Sequence, residues 1–139
     1  MSSHDPQAQR VDAAEESVID DVGRRFTRWS QVERFVDGVL GDDLFHEQFE
    51  NAPLEITLER RSRSATASLA DAGRAVIWIR DGSWDALTVL HELAHIARPS
   101  AEPHGPVFVA TELELVRLFC GFDAYIALRA AFEQHDVRS

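Results

Sequence analysis

The chain has 139 residues, 45% of them apolar and 27% charged, a composition typical of one globular domain with its own hydrophobic core. Its formal net charge is −10 and all 14 basic residues are arginines, which disfavours binding to nucleic acid or an anionic membrane and excludes lysine-based Schiff-base chemistry. The single cysteine, Cys120, excludes an intrachain disulfide and a multi-cysteine zinc ribbon.

The first ten residues are polar and include Pro6. We expect a flexible tail over 1–10, followed by a single domain over 11–139. These residues lack the apolar stretch of a secretory signal, and no later run is long enough to cross a bilayer. The expected location is therefore the cytoplasm.

Helical spacing of apolar residues marks the first part of the chain. It predicts a helix over 11–22 and a second helix that begins at Ser30, where Ser30 and Glu33 form a capping pattern, and ends before Gly41. Residues 42–50 are ambiguous and are compatible with a short helix.

The period changes after Pro53. Leu54, Ile56 and Leu58 alternate with polar residues, residues 65–70 form a weaker candidate strand, and residues 75–79 are a continuous apolar run. The pattern predicts a small, mainly antiparallel sheet of three strands.

Three further helices are predicted after the sheet. The first has Ser83 as its N-cap and runs from Trp84 to about Ala97, the second begins at Pro106, and the last follows Gly121. The fold class is therefore α+β, with helices before and after the sheet.

The segment His91-Glu92-Leu93-Ala94-His95 is an H-E-x-x-H pattern inside a predicted helix. Two histidines four residues apart leave the same helix face, so both imidazoles can bind one ion, and zinc accepts such ligands. Glu92, beside the first ligand, is placed to take a proton from a water molecule on the zinc. The pattern predicts one Zn²⁺ on His91 and His95, with Glu92 as the general base.

A catalytic zinc usually has three protein ligands and a water molecule. His104 is the expected third ligand, because it lies in a proline-containing loop that can fold back over the helix. Glu112 and Glu114 on the next helix are the alternatives. The metzincin arrangement is excluded, because the residues after His95 lack its glycine and third histidine.

The HELAH segment followed by His104-Gly105-Pro106-Val107-Phe108 resembles the SprT-like zincins, in which H-E-x-x-H precedes H-G-x-x-F. It is also similar to a family of small actinobacterial metallohydrolases that carry VLHELAH, HGP-x-F and L-R-x-A-F-x-x-H, the last seen here over 128–135. This resemblance covers most of the chain. It implies a zincin-like fold, zinc on His91, His95 and His104, and a catalytic Glu92. The single cysteine and the acidic charge depart from the SprT-like proteins that act near DNA, so a role in DNA repair does not follow.

The expected reaction is the zinc-dependent hydrolysis of an amide bond in a peptide or protein substrate, with an extended substrate paired to the strand near 75–79. Tyr125 and Arg129, four residues apart on the last helix, are candidate contacts to the oxyanion or the substrate. Trp84, seven residues before His91, is a candidate for the wall of the cleft. The alternative is a zinc-stabilised domain without catalysis that binds a partner protein, which a fourth protein ligand would favour.

Overall fold

The computed structural model describes residues 5–139. Within them the chain forms six helices and one three-stranded sheet. The elements follow in the order α1 (Ala8–Val22), α2 (Trp29–Leu40), α3 (Asp43–Gln48), β1 (Thr57–Arg61), β2 (Leu69–Asp71), β3 (Val76–Arg80), α4 (Ala86–Ala97), α5 (Pro106–Cys120) and α6 (Phe122–Gln134). The predicted α+β class is confirmed.

The N-terminal segment differs from the predicted tail over 1–10. Residues 1–4 lie outside the described residues, but helix α1 already begins at Ala8, and Gln7 is only 1% exposed. Asp5 and Gln7 make hydrogen bonds to distant parts of the chain. The expectation of a tail is therefore wrong for residues 5–10, because polar composition does not reveal that these side chains have buried partners.

Helix α2 has the predicted apolar face, on which Val32, Val36 and Val39 are buried. It begins one residue earlier than predicted, at Trp29, and the predicted capping pair Ser30 and Glu33 does not form. The side chain of Gln31 instead accepts hydrogen bonds from the backbone N–H groups of Thr27 and Arg28. Gln31 thus satisfies donors that the start of a helix leaves without partners.

The sheet is mixed rather than mainly antiparallel. Its strand order is β1-β3-β2, with β1 parallel and β2 antiparallel to β3. The apolar run of β3 fits the central position, where Val76, Ile77 and Ile79 are buried. Strand β1 lies closer to Arg61 than the predicted 54–58. Its pairing with β3 begins where Thr57 faces Val76 and ends where Arg61 faces Arg80, and Leu54 is 77% exposed.

Helix α4 occupies the centre of the molecule, and ten of its twelve residues are buried. It contacts helices α1, α2 and α5 and strands β2 and β3, while α6 packs against α1 and α5. Its N-cap is Asp85 rather than the predicted Ser83, because the Asp85 carboxylate accepts from the N–H and hydroxyl groups of Thr88. Helix α5 begins at Pro106 as predicted.

No helix in residues 5–139 is both long and apolar enough to cross a membrane.

Candidate metal centre

The two histidines of the H-E-x-x-H pattern lie one turn apart on helix α4. Their ring centroids are 5.2 Å apart, and His91 is only 8% exposed while His95 is half-buried. The helix is held by packing on several sides, so the two rings are fixed relative to each other. The structure therefore brings together the pair that the sequence singled out.

His104 joins this pair from the loop between α4 and α5. Its ring centroid lies 5.3 Å from that of His91 and 4.8 Å from that of His95. The loop turns sharply after it: a Cβ atom on Gly105 would lie 2.7 Å from the Cβ of Glu102. Glycine is thus needed directly after His104 for the chain to enter helix α5 at this point.

The spacing of the imidazole nitrogens fits a metal ion. One ring nitrogen from each of His91, His95 and His104 lies within 4.8 Å of the other two, and the Nε2 atoms of His91 and His104 are 3.3 Å apart. Two nitrogens bound to one tetrahedral zinc, each about 2.0–2.1 Å away, are about 3.3 Å from each other. The observed separation matches the spacing expected for two ligands of one zinc ion, and it is also within hydrogen-bond distance.

Carboxylates hold the opposite nitrogens of two of these rings. The Nδ1 atom of His91 lies 2.6 Å from Oε2 of Glu15 on helix α1, and the Nδ1 atom of His104 lies 2.7 Å from Oδ2 of Asp5. A histidine that binds a metal commonly donates its other ring N–H to such a partner, which fixes its tautomer and orientation. This arrangement directs both Nε2 atoms toward the shared site.

The electrostatic environments of the rings differ. Burial lowers the pKa of His95 to about 3, helped by His91 and His104, so this ring is neutral at neutral pH, as a metal ligand must be. Burial also works to lower the pKa of His91, but the carboxylates of Glu15 and Glu92 outweigh it and raise this pKa well above its usual value. Without a metal ion, His91 is thus placed among charges that favour a cation.

Phe108 packs against all three imidazoles. Its ring centroid lies 4.8 Å from that of His91, 4.5 Å from that of His95 and 5.0 Å from that of His104, and the residue is 2% exposed. Aromatic contacts of this kind restrict the orientation of each ring. Phe108 therefore stabilises the geometry of the whole group from the first turn of helix α5.

Glu92 faces the same site without an imidazole hydrogen bond. Its Oε2 atom lies 4.0 Å from Nε2 of His91, the residue is 6% exposed, and burial raises the pKa of its carboxyl group. The side chain lines a cleft of about 680 Å³ with His91, His95 and His104. A carboxylate with a raised pKa beside a metal site is suited to accepting a proton from water.

The alternative ligands Glu112 and Glu114 do not face the shared site. Glu114 pairs with Arg117 on the surface of helix α5. Glu112 is fully buried and approaches His91 from behind, with its Oε2 atom 3.6 Å from Nδ1. Neither carboxyl group belongs to the cluster of His91, His95 and His104, so three imidazoles are the ligand set that the described residues offer there.

The surroundings of Glu112 also indicate whether a divalent cation fits at the three imidazoles. Neither of its oxygens has a hydrogen-bond partner in the part of the chain that the structure describes. Burial raises the pKa of the Glu15 carboxyl group well above its usual value, and the nearby Glu112 raises it further. Buried acidic groups without partners are costly. A divalent cation on the far side of the His91 ring would offset the charge of these buried acidic groups through the imidazole. The three imidazoles and the acidic groups behind them therefore fit zinc.

Comparison of the chain with protein-family models, curated proteins and solved structures found no match. The geometry above therefore stands on the residues of this chain alone.

The structure does not bring the other candidate residues to the cleft. Trp84 precedes the N-cap Asp85, so its seven-residue spacing from His91 does not place it on the ligand face. It packs against Trp29, with the guanidinium of Arg60 5.0 Å from its ring centroid, and lines a separate pocket.

The structure also places the candidate contacts of the last helix away from the cleft. Tyr125 packs against Phe122, and Arg129 lies near Glu133 at the surface. Helix α6 packs on α1 and α5, whereas the cleft is lined by α1, α4, β2 and neighbouring loops. The helical spacing of Tyr125 and Arg129 shows only that they share a face, and this face does not line the cleft.

The sequence did not predict that three acidic residues lie behind the imidazoles: Asp5, Glu15 and Glu112. A signal existed for two of them. Glu15 interrupts the apolar face of α1 four residues after Val11, and Glu112 does so in α5 three residues after Val109. A charged residue inside an apolar face needs a buried partner. Asp5 carried no such signal.

Proposed function

We propose that this chain is a zinc-dependent hydrolase that cleaves an amide bond, and that its substrate is a peptide or protein. The observation that carries the proposal is the convergence of three imidazoles beside the buried carboxylate of Glu92, all of them lining one cleft. The resemblance to SprT-like zincins and to the actinobacterial metallohydrolases points the same way and stays a prediction.

Each residue of the site has a distinct task. His91, His95 and His104 would hold the zinc ion, which when bound polarises a carbonyl oxygen and lowers the pKa of water. Glu92 accepts the proton of the attacking water and passes it to the leaving amine, and its raised pKa brings it closer to neutral pH, where proton transfer in both directions is efficient. Glu15 and Asp5 keep the rings oriented.

The substrate would pair with strand β2 rather than with β3. Both edges of β3 are taken by β1 and β2, which rules out the expected pairing near 75–79. Strand β2 is an edge strand, and Leu69 and Ala70 line the cleft. An extended peptide can add to such an edge through backbone hydrogen bonds.

The charge of the cleft favours neutral or basic substrates. The acidic side chains of Asp12 and Glu16 line it from helix α1, and no arginine is among its described lining residues. An acidic peptide would meet repulsion from these carboxylates, and no arginine side chain of the described lining would offset it away from the imidazoles. Peptides with arginine or lysine near the scissile bond are therefore the first substrates to test.

The alternative, a zinc-stabilised domain without catalysis, is less well supported. It calls for a fourth protein ligand that closes the site, and Glu112 and Glu114 lie elsewhere. An open position beside a free carboxylate favours hydrolysis instead.

The test uses the zinc-loaded, untagged protein, a mixture of fluorogenic peptides and the Glu92→Gln variant. We expect Glu92→Gln to bind one zinc ion with the wild-type melting temperature but to cleave about 100-fold to 10,000-fold more slowly, since it cannot accept the proton. Glu33→Gln is the matched control, because Glu33 is exposed on helix α2 and does not line the cleft.

Two results would overturn the proposal. One is cleavage by Glu92→Gln at the wild-type rate, which would assign the activity to another group or to a contaminant. The other is a wild-type protein that fails to bind zinc at micromolar concentration in the absence of chelators.

A further inference from the structure

The third ligand candidate differs from the other two in how it is held. His91 and His95 sit on a helix that is packed on several sides, whereas His104 lies in the segment between Ala97 and Pro106, which has no regular secondary structure. Loops of this kind are more mobile than the elements they connect. The position of His104 therefore depends on contacts from outside its own loop.

Besides His91 and Phe108, the N-terminal segment supplies two of those contacts. The Asp5 carboxylate lies 2.7 Å from the ring Nδ1 of His104, and the side-chain amide of Gln7 donates to the backbone carbonyl of His104 at 2.8 Å. One segment thus holds both the side chain and the backbone of the same residue. The two contacts together restrict the ring more than either would alone.

Gln7 also joins this segment to the end of the chain. Its Nε2 atom donates to the carbonyl of Arg138 at 3.1 Å, and its Oε1 atom accepts from the N–H of Arg138 at 2.9 Å. With 1% exposure, Gln7 is a buried amide whose donors and acceptor are all used. Such a side chain occupies one defined position, because each alternative leaves a buried polar group without a partner.

We propose that Asp5 and Gln7 form a strap that positions His104 for metal binding, so that the docking of the N-terminal segment and the binding of the ion stabilise each other. The proposal rests on the metal site of the proposed function and assigns two positioning residues to it. Coupling of this kind is reciprocal: if the strap strengthens metal binding, the ion strengthens docking of the strap by the same factor.

The first test compares the zinc affinity of Asp5→Asn with that of the wild-type protein. Asparagine keeps the shape of the side chain but removes the negative charge of the group that accepts a hydrogen bond from the imidazole. We expect zinc affinity, measured by competition with a chromophoric chelator on untagged protein, to fall about 10-fold to 100-fold. Asp20→Asn is the control, because Asp20 is exposed on helix α1 and pairs only with Arg25.

A second measurement separates positioning from a loss of stability. The metal-free Asp5→Asn protein should melt close to the wild-type temperature, and its His104 ring should shift toward a mixture of tautomers in ¹H–¹⁵N spectra, since Nδ1 no longer has its carboxylate partner. Gln7→Ala should weaken zinc binding in the same direction. Zinc affinity that is unchanged in both variants would overturn the strap.

Hydrogen exchange tests the reciprocal effect. The amide of Arg138 donates to Gln7, whereas the neighbouring amide of Val137 bonds to Phe132 within the C-terminal turn. Zinc should slow exchange at Arg138 in the wild-type protein and slow it less in Asp5→Asn, with a smaller change at Val137. If the wild-type protein binds zinc without a change in the exchange rate of the Arg138 amide, only the strap is contradicted. If the wild-type protein binds no zinc, the metal site itself is contradicted.

Discussion

At the scale of single residues, Glu112 has the least favourable surroundings in the site. Its carboxyl group is fully buried behind His91, near Glu15, and its oxygens have no hydrogen-bond partner in the described part of the chain. A group in this position reduces the stability of the metal-free protein. Its carboxyl group lies near Nδ1 of His91, whereas the Nε2 atom of the same ring faces His104.

Glu112→Gln should therefore separate stability from metal affinity. We expect the free energy of unfolding of the metal-free protein to rise by about 1–3 kcal/mol, because a neutral amide replaces a buried group without a partner. Zinc affinity should fall about tenfold, because the charge behind His91 is lost. Urea unfolding and chelator competition measure the two quantities.

Glu114→Gln is the control for this experiment. Glu114 lies two residues along the same helix but pairs with Arg117 at the surface, so its loss should change stability by less than about 1 kcal/mol. A Glu112→Gln protein that is less stable than the wild type when metal-free would show that the carboxylate has a favourable partner.

At the scale of elements, helix α4 contributes most to the candidate site, because it carries His91, His95 and the carboxyl group of Glu92. The Asp85 carboxylate caps its first turn through the N–H and hydroxyl groups of Thr88 and is 3% exposed. The cap fixes where the helix begins, six residues before His91.

Asp85→Ala should lower the free energy of unfolding by about 1 kcal/mol, within the range of about 0.5–2 kcal/mol for lost N-caps. Ser83→Ala tests the residue that the sequence favoured as the cap. Ser83 makes no capping bond and only accepts from Arg80, so the expected change is within about 0.5 kcal/mol. Equal effects of the two substitutions, measured by denaturant unfolding, would contradict Asp85 as the cap.

At the scale of the whole molecule, the cluster of imidazoles and carboxyl groups connects parts that are far apart in sequence. The N-terminal segment, helix α1, helix α4 and the following loop all contribute to it. An ion that binds only the folded form adds its binding free energy to the stability of all these parts at once.

Zinc should therefore raise the melting temperature of the untagged protein. At a free zinc concentration 100 times the dissociation constant, the gain is about 2.7 kcal/mol, or about 8 °C for a chain of this size. Chelation with EDTA should reverse the shift, and His104→Ala should lose most of it. An identical melting temperature with and without zinc would contradict the metal site.

Local pattern was sufficient for most helices, for the central strand and for the first part of the site. Helical spacing predicted α1, α2, α4, α5 and α6, and the apolar run of β3 predicted a buried strand. The spacing of His91 and His95 placed both rings on one helix face, because a four-residue step is about one turn. The proximity of His104 was also expected from the sequence, and the structure confirms that the three rings meet.

Only the tertiary structure decided the sheet pairing, the wall of the cleft and the residues behind the ligands. Glu15 lies 76 positions from His91, and Asp5 lies 99 positions from His104. The periodicity of a segment shows which face is buried but not which distant element covers it. It therefore could not predict the mixed sheet, the distance of Tyr125 and Arg129 from the cleft, or the position of Trp84. The sequence by itself determined which side chains could bind a metal, whereas packing between distant segments decided which groups hold and surround them.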